Sequence, residues 1–125
     1  NPLAVAAALE TIRVIGDEKL VERASMLGER LAAQLRSLQA QEPRICDVRG
    51  LGAMVAVEFR DPRTGEPDAD FTRRVHAAGL QRGLLLLTCG VHGNVVRFLF
   101  ALTIPDDVFE EGLSLLAGAV LDAAR

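Results

Sequence analysis

Aromatic side chains are scarce in this chain: five Phe, no Trp and no Tyr among 125 residues. A core must therefore be assembled from Leu, Val, Ile and Ala, and at this length it buries roughly two-thirds of the surface that the unfolded chain exposes. Basic runs are absent and the net charge is −3. With no aromatic platform either, the chain carries no footprint for nucleic acid. No apolar run approaches the ~20 residues that span a bilayer, and no signal-peptide pattern is visible. The two cysteines, Cys46 and Cys89, match neither a CxxC motif nor a metal spacing. They read as free thiols, small buried residues of a protein kept in a reducing, cytoplasmic setting. His76 and His92 are too isolated to form a metal site. Lysine occurs once, as Lys19. The first residue is Asn, not Met, so the expectation is a piece of a longer protein.

What is present reads as one α+β domain. Asn1-Pro2 opens a helix, an N-cap followed by proline at the first helical position, and Val5, Leu9 and Ile12 repeat at helical spacing. Gly16 is expected to stop it and Asp17 to cap the next helix. Leu20, Ala24, Leu27, Leu31, Leu35 and Leu38 form one apolar stripe, with Glu22, Arg23, Glu29, Arg30 and Arg36 off it. That is an amphipathic helix of about five turns ended by Pro43. Ile45–Val48 reads as a short strand broken by Arg49-Gly50-Leu51-Gly52. Ala53–Phe59 is a second strand, with Met54, Ala56 and Glu58 facing away from Val55, Val57 and Phe59. Asp68 or Asp70 caps a third helix that ends before Gly83. Leu84–Thr88, continuously apolar, predicts a buried strand. Val95–Phe100 pairs with it as a hairpin across a loop of about five or six residues. Pro105-Asp106-Asp107 opens a last helix, its acids favourable at the positive end, with Phe109, Leu113, Leu116 and Val120 inward.

The order α-α-β-β-α-β-β-α predicts a small, mostly antiparallel sheet covered by helices. Residues 1–42 supply connecting and leading helices and residues 43–125 the sheet core.

Arg97 stands out. It interrupts Val95-Val96-Arg97-Phe98-Leu99-Phe100, where a charge is costly unless paired or at an edge. From the residues alone it is an edge-strand arginine reaching solvent, or a partner of Glu58 or another acid. Arg49 reads as a surface ion pair to Asp47 beside a bend, or as a substrate contact. His92 falls in the hairpin loop, and His76 on a solvated helix face. Asp106 and Asp107 are helix-start charges.

Three stretches together resemble the class III aminotransferases of the ornithine/4-aminobutyrate type. They are Asn1-Pro2-Leu3-Ala4 with its Ala-rich helix, Asp47–Met54 leading into Val57-Glu58, and Gly83–Gly90 followed by Asn94-Val95-Val96-Arg97 and Leu102-Thr103-Ile104. The last is most similar to the 4-aminobutyrate branch. Ala101 departs from that pattern, standing where proline is usual. The resemblance covers essentially the whole chain. It implies the C-terminal small domain of a type I pyridoxal-phosphate-dependent fold, whose large domain holds the cofactor, its lysine and the aspartate on the pyridine nitrogen. The whole enzyme would be a homodimer transferring an ω-amino group to 2-oxoglutarate. Arg97 would bind the substrate carboxylate, and His92 would lie near the substrate entrance. Other members of the family, acting on ornithine, acetylornithine, diaminobutyrate or 5-aminovalerate, fit the same residues. Lys19, in a charged helix start, has nothing around it to keep its amine neutral for bonding a cofactor. The resemblance therefore predicts no cofactor on these residues alone and no catalysis by them. A free-standing carboxylate-binding module and a structural domain pairing through Leu20–Leu38 are the rival readings.

Overall fold

The computed structural model describes residues 1–125. Helix α1 (Pro2–Asp17) starts as its sequence predicts: the Asn1 side chain accepts a hydrogen bond from the Leu3 N–H at 3.0 Å. Gly16 does not stop it. The Glu18 and Lys19 amides still bond to the Val14 and Gly16 carbonyls, so Asp17 remains helical and caps nothing. The break falls at Lys19, which takes a left-handed conformation (φ 50°), at a cost of about 1–2 kcal/mol for a residue with a Cβ. Helix α2 (Leu20–Gln39) follows and ends ahead of Pro43. Its stripe Leu27, Leu31, Leu35 and Leu38 is fully buried. By contrast, α1 buries no residue at all.

Strand β1 (Ile45–Leu51) runs straight through Arg49 and Gly50, where a break was expected. Both residues have ladder partners, Ala56 and Val55, on β2 (Met54–Phe59). Pairing continues to Leu51 opposite Met54, so the break is a tight turn at Gly52-Ala53. Cys46 is the bulged residue of β1, between the pairs Ile45–Phe59 and Asp47–Glu58. Helix α3 (Ala69–Gln81) is capped by Asp68, whose carboxylate accepts from the Phe71 N–H at 2.8 Å. Gly83, past its end, adopts φ 82°, a conformation that glycine enters without strain.

Strand β3 (Leu87–Cys89) is shorter than the apolar run Leu84–Thr88 predicts, and less buried. Only Leu86 of that run is buried, and Leu85 is 83% exposed. The reason is pairing: β3 is an edge strand whose partner β4 (Val95–Phe98) itself ends at Phe98. Residues before Leu87 have no ladder to join. The five-residue loop between Cys89 and Val95 matches expectation. Helix α4 (Asp106–Ala123) completes the chain.

The sheet order is β1-β2-β4-β3, and every pairing is antiparallel. Val55, Val57, Phe59, Val96 and Phe98 point from one face into a single core with α2, α3 and α4. Phe59 and Phe71 meet edge-on at 5.1 Å between centroids. α2 lies directly on the β1–β2 turn: a Cβ on Gly28 would sit 1.8 Å from the Gly52 carbonyl oxygen. Three elements therefore end at one end of the sheet, namely the β1–β2 turn, the C-terminal end of β4 and the start of β3.

Candidate functional site

The other face of the sheet has no helix on it. Directly opposite residues of antiparallel strands project to the same side, so register alone aligns Arg49, Ala56, Arg97 and Leu87 in one row across four strands. Glu58 and Asp47 belong to the adjacent row. Three apolar side chains near Arg97, Met54, Leu87 and Leu99, are all more than half exposed. Beside β3 and β4, Arg97 also borders an apolar cleft lined by Leu84, Leu86, Phe100, Ile104 and Phe109.

Charges on this face are sorted by their hydrogen bonds. Arg49 donates to Asp47 at 2.6 Å and to Glu58 at 2.9 Å. Arg60 donates to Glu58 at 3.1 Å, and the Asn94 amide reaches the Phe59 carbonyl at 3.0 Å and Glu58 at 3.4 Å. Partial burial works to raise the Glu58 carboxyl's pKa. The guanidinium hydrogen bonds from Arg60 and Arg49 outweigh it, holding the group below the usual carboxylate range. The cluster of two acids and two arginines is internally compensated. Its neighbour Cys46, though exposed, has its thiol pushed up, by partial desolvation first and then by the Glu58 charge, and donates weakly to the Glu58 carbonyl at 3.3 Å.

Arg97 is outside this network. Its guanidinium makes no ion pair and no side-chain hydrogen bond, and the Glu58 carboxylate pairs with Arg49 and Arg60 instead. It is not an edge residue either, since β4 pairs with β2 on one side and β3 on the other. Two of the readings open at the sequence level, edge position and a Glu58 salt bridge, are thereby corrected. What remains is a free planar cation, on an interior strand, facing outward among apolar side chains.

The remaining predicted residues do not converge on it. Arg49 has the ion pair expected of it. His92 is exposed in the loop at the opposite end of β4, and not beside Arg97. His76 is half-buried instead of solvated. Both thiols are free as expected, but Cys46 is exposed and Cys89 half-buried, so neither is a core residue. Lys19 is exposed at the α1–α2 junction. No group of three His, Cys, Asp or Glu is arranged to hold a metal ion, and no helix is long and apolar enough to cross a membrane. Sequence reasoning missed Arg23, which it placed among surface charges. This side chain is half-buried and bonds to the segment after β4.

An antiparallel sheet with helices on one face is an architecture shared with aminotransferases. Residues 1–120 match the class-III aminotransferase family, and the chain belongs to that family of pyridoxal-phosphate-dependent enzymes. It is 48% identical over 118 residues to a 5-aminovalerate aminotransferase of Pseudomonas aeruginosa, covering 94% of this chain and 28% of that protein. It is 45% identical over 122 residues to a 4-aminobutyrate aminotransferase of Mycobacterium tuberculosis, covering 98% of the chain and 27% of the relative. Among solved structures, the ornithine aminotransferase of Toxoplasma gondii superposes with a TM-score of 0.85 at 32% identity, over 99% of this chain and 28% of that one. The chain thus spans a little over a quarter of the length of these relatives.

Proposed function

We propose that these residues form the C-terminal small domain of an ω-amino-acid aminotransferase of the 4-aminobutyrate type, which passes its amino group to 2-oxoglutarate, and that Arg97 binds the substrate carboxylate. The unpaired Arg97 guanidinium on an interior strand carries this reading. Its planar fork offers two parallel charge-assisted hydrogen bonds to a carboxylate, a geometry lysine lacks. Exposed Met54 and Leu87 beside it suit a methylene chain. The role is orientation: fixing the carboxylate aims the amine at the reacting centre.

The residues present do not fit pyridoxal phosphate by themselves. Lys19 is the one lysine, and it lies in an exposed helix junction, not in a pocket. The cofactor, when bound, supplies the electron sink for amino transfer. In this reading its lysine lies on residues outside these 125, in a large domain, and the working enzyme is a cytoplasmic homodimer. An absorption band appearing when pyridoxal phosphate is added to the isolated chain, and lost in Lys19→Ala, would overturn that assignment.

The 48% identity to a 5-aminovalerate enzyme favours a second donor. The two amino acids differ by one methylene, a difference that an apolar pocket discriminates by only about 1–3 kcal/mol. Measuring kcat/KM for both in the full-length enzyme chooses between them. The carboxylate role is tested by Arg97→Ala and Arg97→Lys. Removing a bidentate charged pair is expected to lower kcat/KM for 2-oxoglutarate roughly 100-fold or more, with Lys recovering a fraction. Unchanged kinetics for both the donor and 2-oxoglutarate would refute the role.

A further inference from the structure

The structure assigns Arg23 a part in presenting Arg97. Arg23 projects from the first turn of α2. Its Nε donates to the Leu102 carbonyl at 2.6 Å, and its Nη2 donates to the Ile104 carbonyl and to the Asp106 carboxylate at 2.9 Å. The two carbonyls lie in the segment between β4 and α4, and Asp106 is the first residue of α4. Helix α4 has no side-chain cap of its own, since Pro105 occupies its N-cap position.

That segment starts where the ladder around Arg97 stops. Arg97 is the last β4 residue with partners on both sides, Ala56 and Leu87, while Phe98 pairs only with Val55. Beyond it the chain is held by Phe100 against Phe109, at 5.2 Å between ring centroids, by the Ile104 amide on the Ala101 carbonyl at 3.1 Å, and by Arg23. Of these, Arg23 connects the segment to α2, and the same helix reaches the Asp106 carboxylate again through Arg30 at 3.9 Å. The same helix grips the β1–β2 turn through Gly28, at the same end of the sheet. Arginine suits the task, because its rigid fork meets three acceptors at once, whereas an ammonium on a flexible stem holds fewer in place.

We propose that Arg23 is a positioning residue. By clamping the Leu102 and Ile104 carbonyls it sets the direction in which the chain leaves β4, and through it the aim of the Arg97 guanidinium. The proposal rests on the carboxylate role of Arg97.

The test is a double-mutant cycle in the full-length enzyme, read as KM and kcat for 2-oxoglutarate. Arg23→Met is expected to raise KM roughly tenfold, as small misplacements of a positioning group do, while kcat moves far less. Arg23→Lys should recover part of the loss, and it carries the test if Arg23→Met does not fold. In the Arg97→Ala background either Arg23 substitution should add nothing, because the group being aimed is gone. An equal fold-loss in both backgrounds, or an unchanged KM, overturns the proposal while leaving the Arg97 role standing. Should Arg97→Ala alone leave KM unchanged, the carboxylate role itself falls, and the proposal with it.

Discussion

Replacing Gly28 by alanine sets two opposed effects against each other. Alanine is the better helix former by about 1 kcal/mol, and Gly28 lies inside α2, so propensity predicts stabilisation. Packing predicts the reverse. The new Cβ would lie 1.8 Å from the Gly52 carbonyl oxygen, 2.5 Å from its carbon and 3.2 Å from the Ala53 nitrogen. Reaching ordinary contact near 3.4 Å requires α2 and the β1–β2 turn to part by about 1.6 Å at this point. The obstacle is backbone, so no rotamer change relieves it. Overpacking of this kind costs about 1–3 kcal/mol, and with immobile atoms on both sides the upper part of that range applies. The net expectation is a loss of about 1–2 kcal/mol, or a melting temperature lower by roughly 4–10 °C for a domain of this size. Gly112→Ala is the matched control, because a Cβ there meets nothing within 4 Å. It should gain up to about 1 kcal/mol from propensity alone. Melting curves of the two variants against the parent chain decide the matter. A Gly28→Ala variant that melts higher, together with Gly112→Ala, would refute the close approach of α2 to the turn.

Two further outcomes follow from the core and from the charged cluster. Phe71 is fully buried, edge-on to Phe59, with Arg44 and Arg74 over its ring; Phe71→Ala should destabilise by about 3–5 kcal/mol in urea denaturation, and a loss below about 1 kcal/mol would contradict its packing. Glu58 has a depressed folded-state pKa, so its contribution is complete above the ordinary glutamate value near 4.5 and is lost as pH falls through the lower folded value. The stability difference between the parent and Glu58→Gln should therefore be full at neutral pH and shrink below about pH 4, measured as urea midpoints across pH; a difference that widens on acidification would contradict the sign.

Much of the architecture was legible because it is periodic. The Leu27–Leu38 stripe of α2 and the alternation of Val55, Val57 and Phe59 in β2 are local consequences of backbone geometry, and both are buried as predicted. The Asn1 and Asp68 caps follow from chemistry within three residues. Errors arose where a partner decides. Arg49-Gly50 resembles a breaker, yet it pairs with Ala56 and Val55. Leu84–Leu86 resembles a strand but finds no ladder. Arg23 was invisible as a clamp, because its acceptors lie 79 to 83 residues away in the chain.

Arg97 shows the same division most sharply. The order of elements, the inward and outward faces, and the anomaly of one arginine in an apolar strand are properties of the sequence by itself, set by side-chain periodicities that no distant contact alters. Whether that arginine is at an edge, and whether Glu58 neutralises it, are properties of the fold. Strand order placed β4 inside the sheet. Register put Arg49 and Arg60 within reach of Glu58, and left Arg97 without an acidic partner.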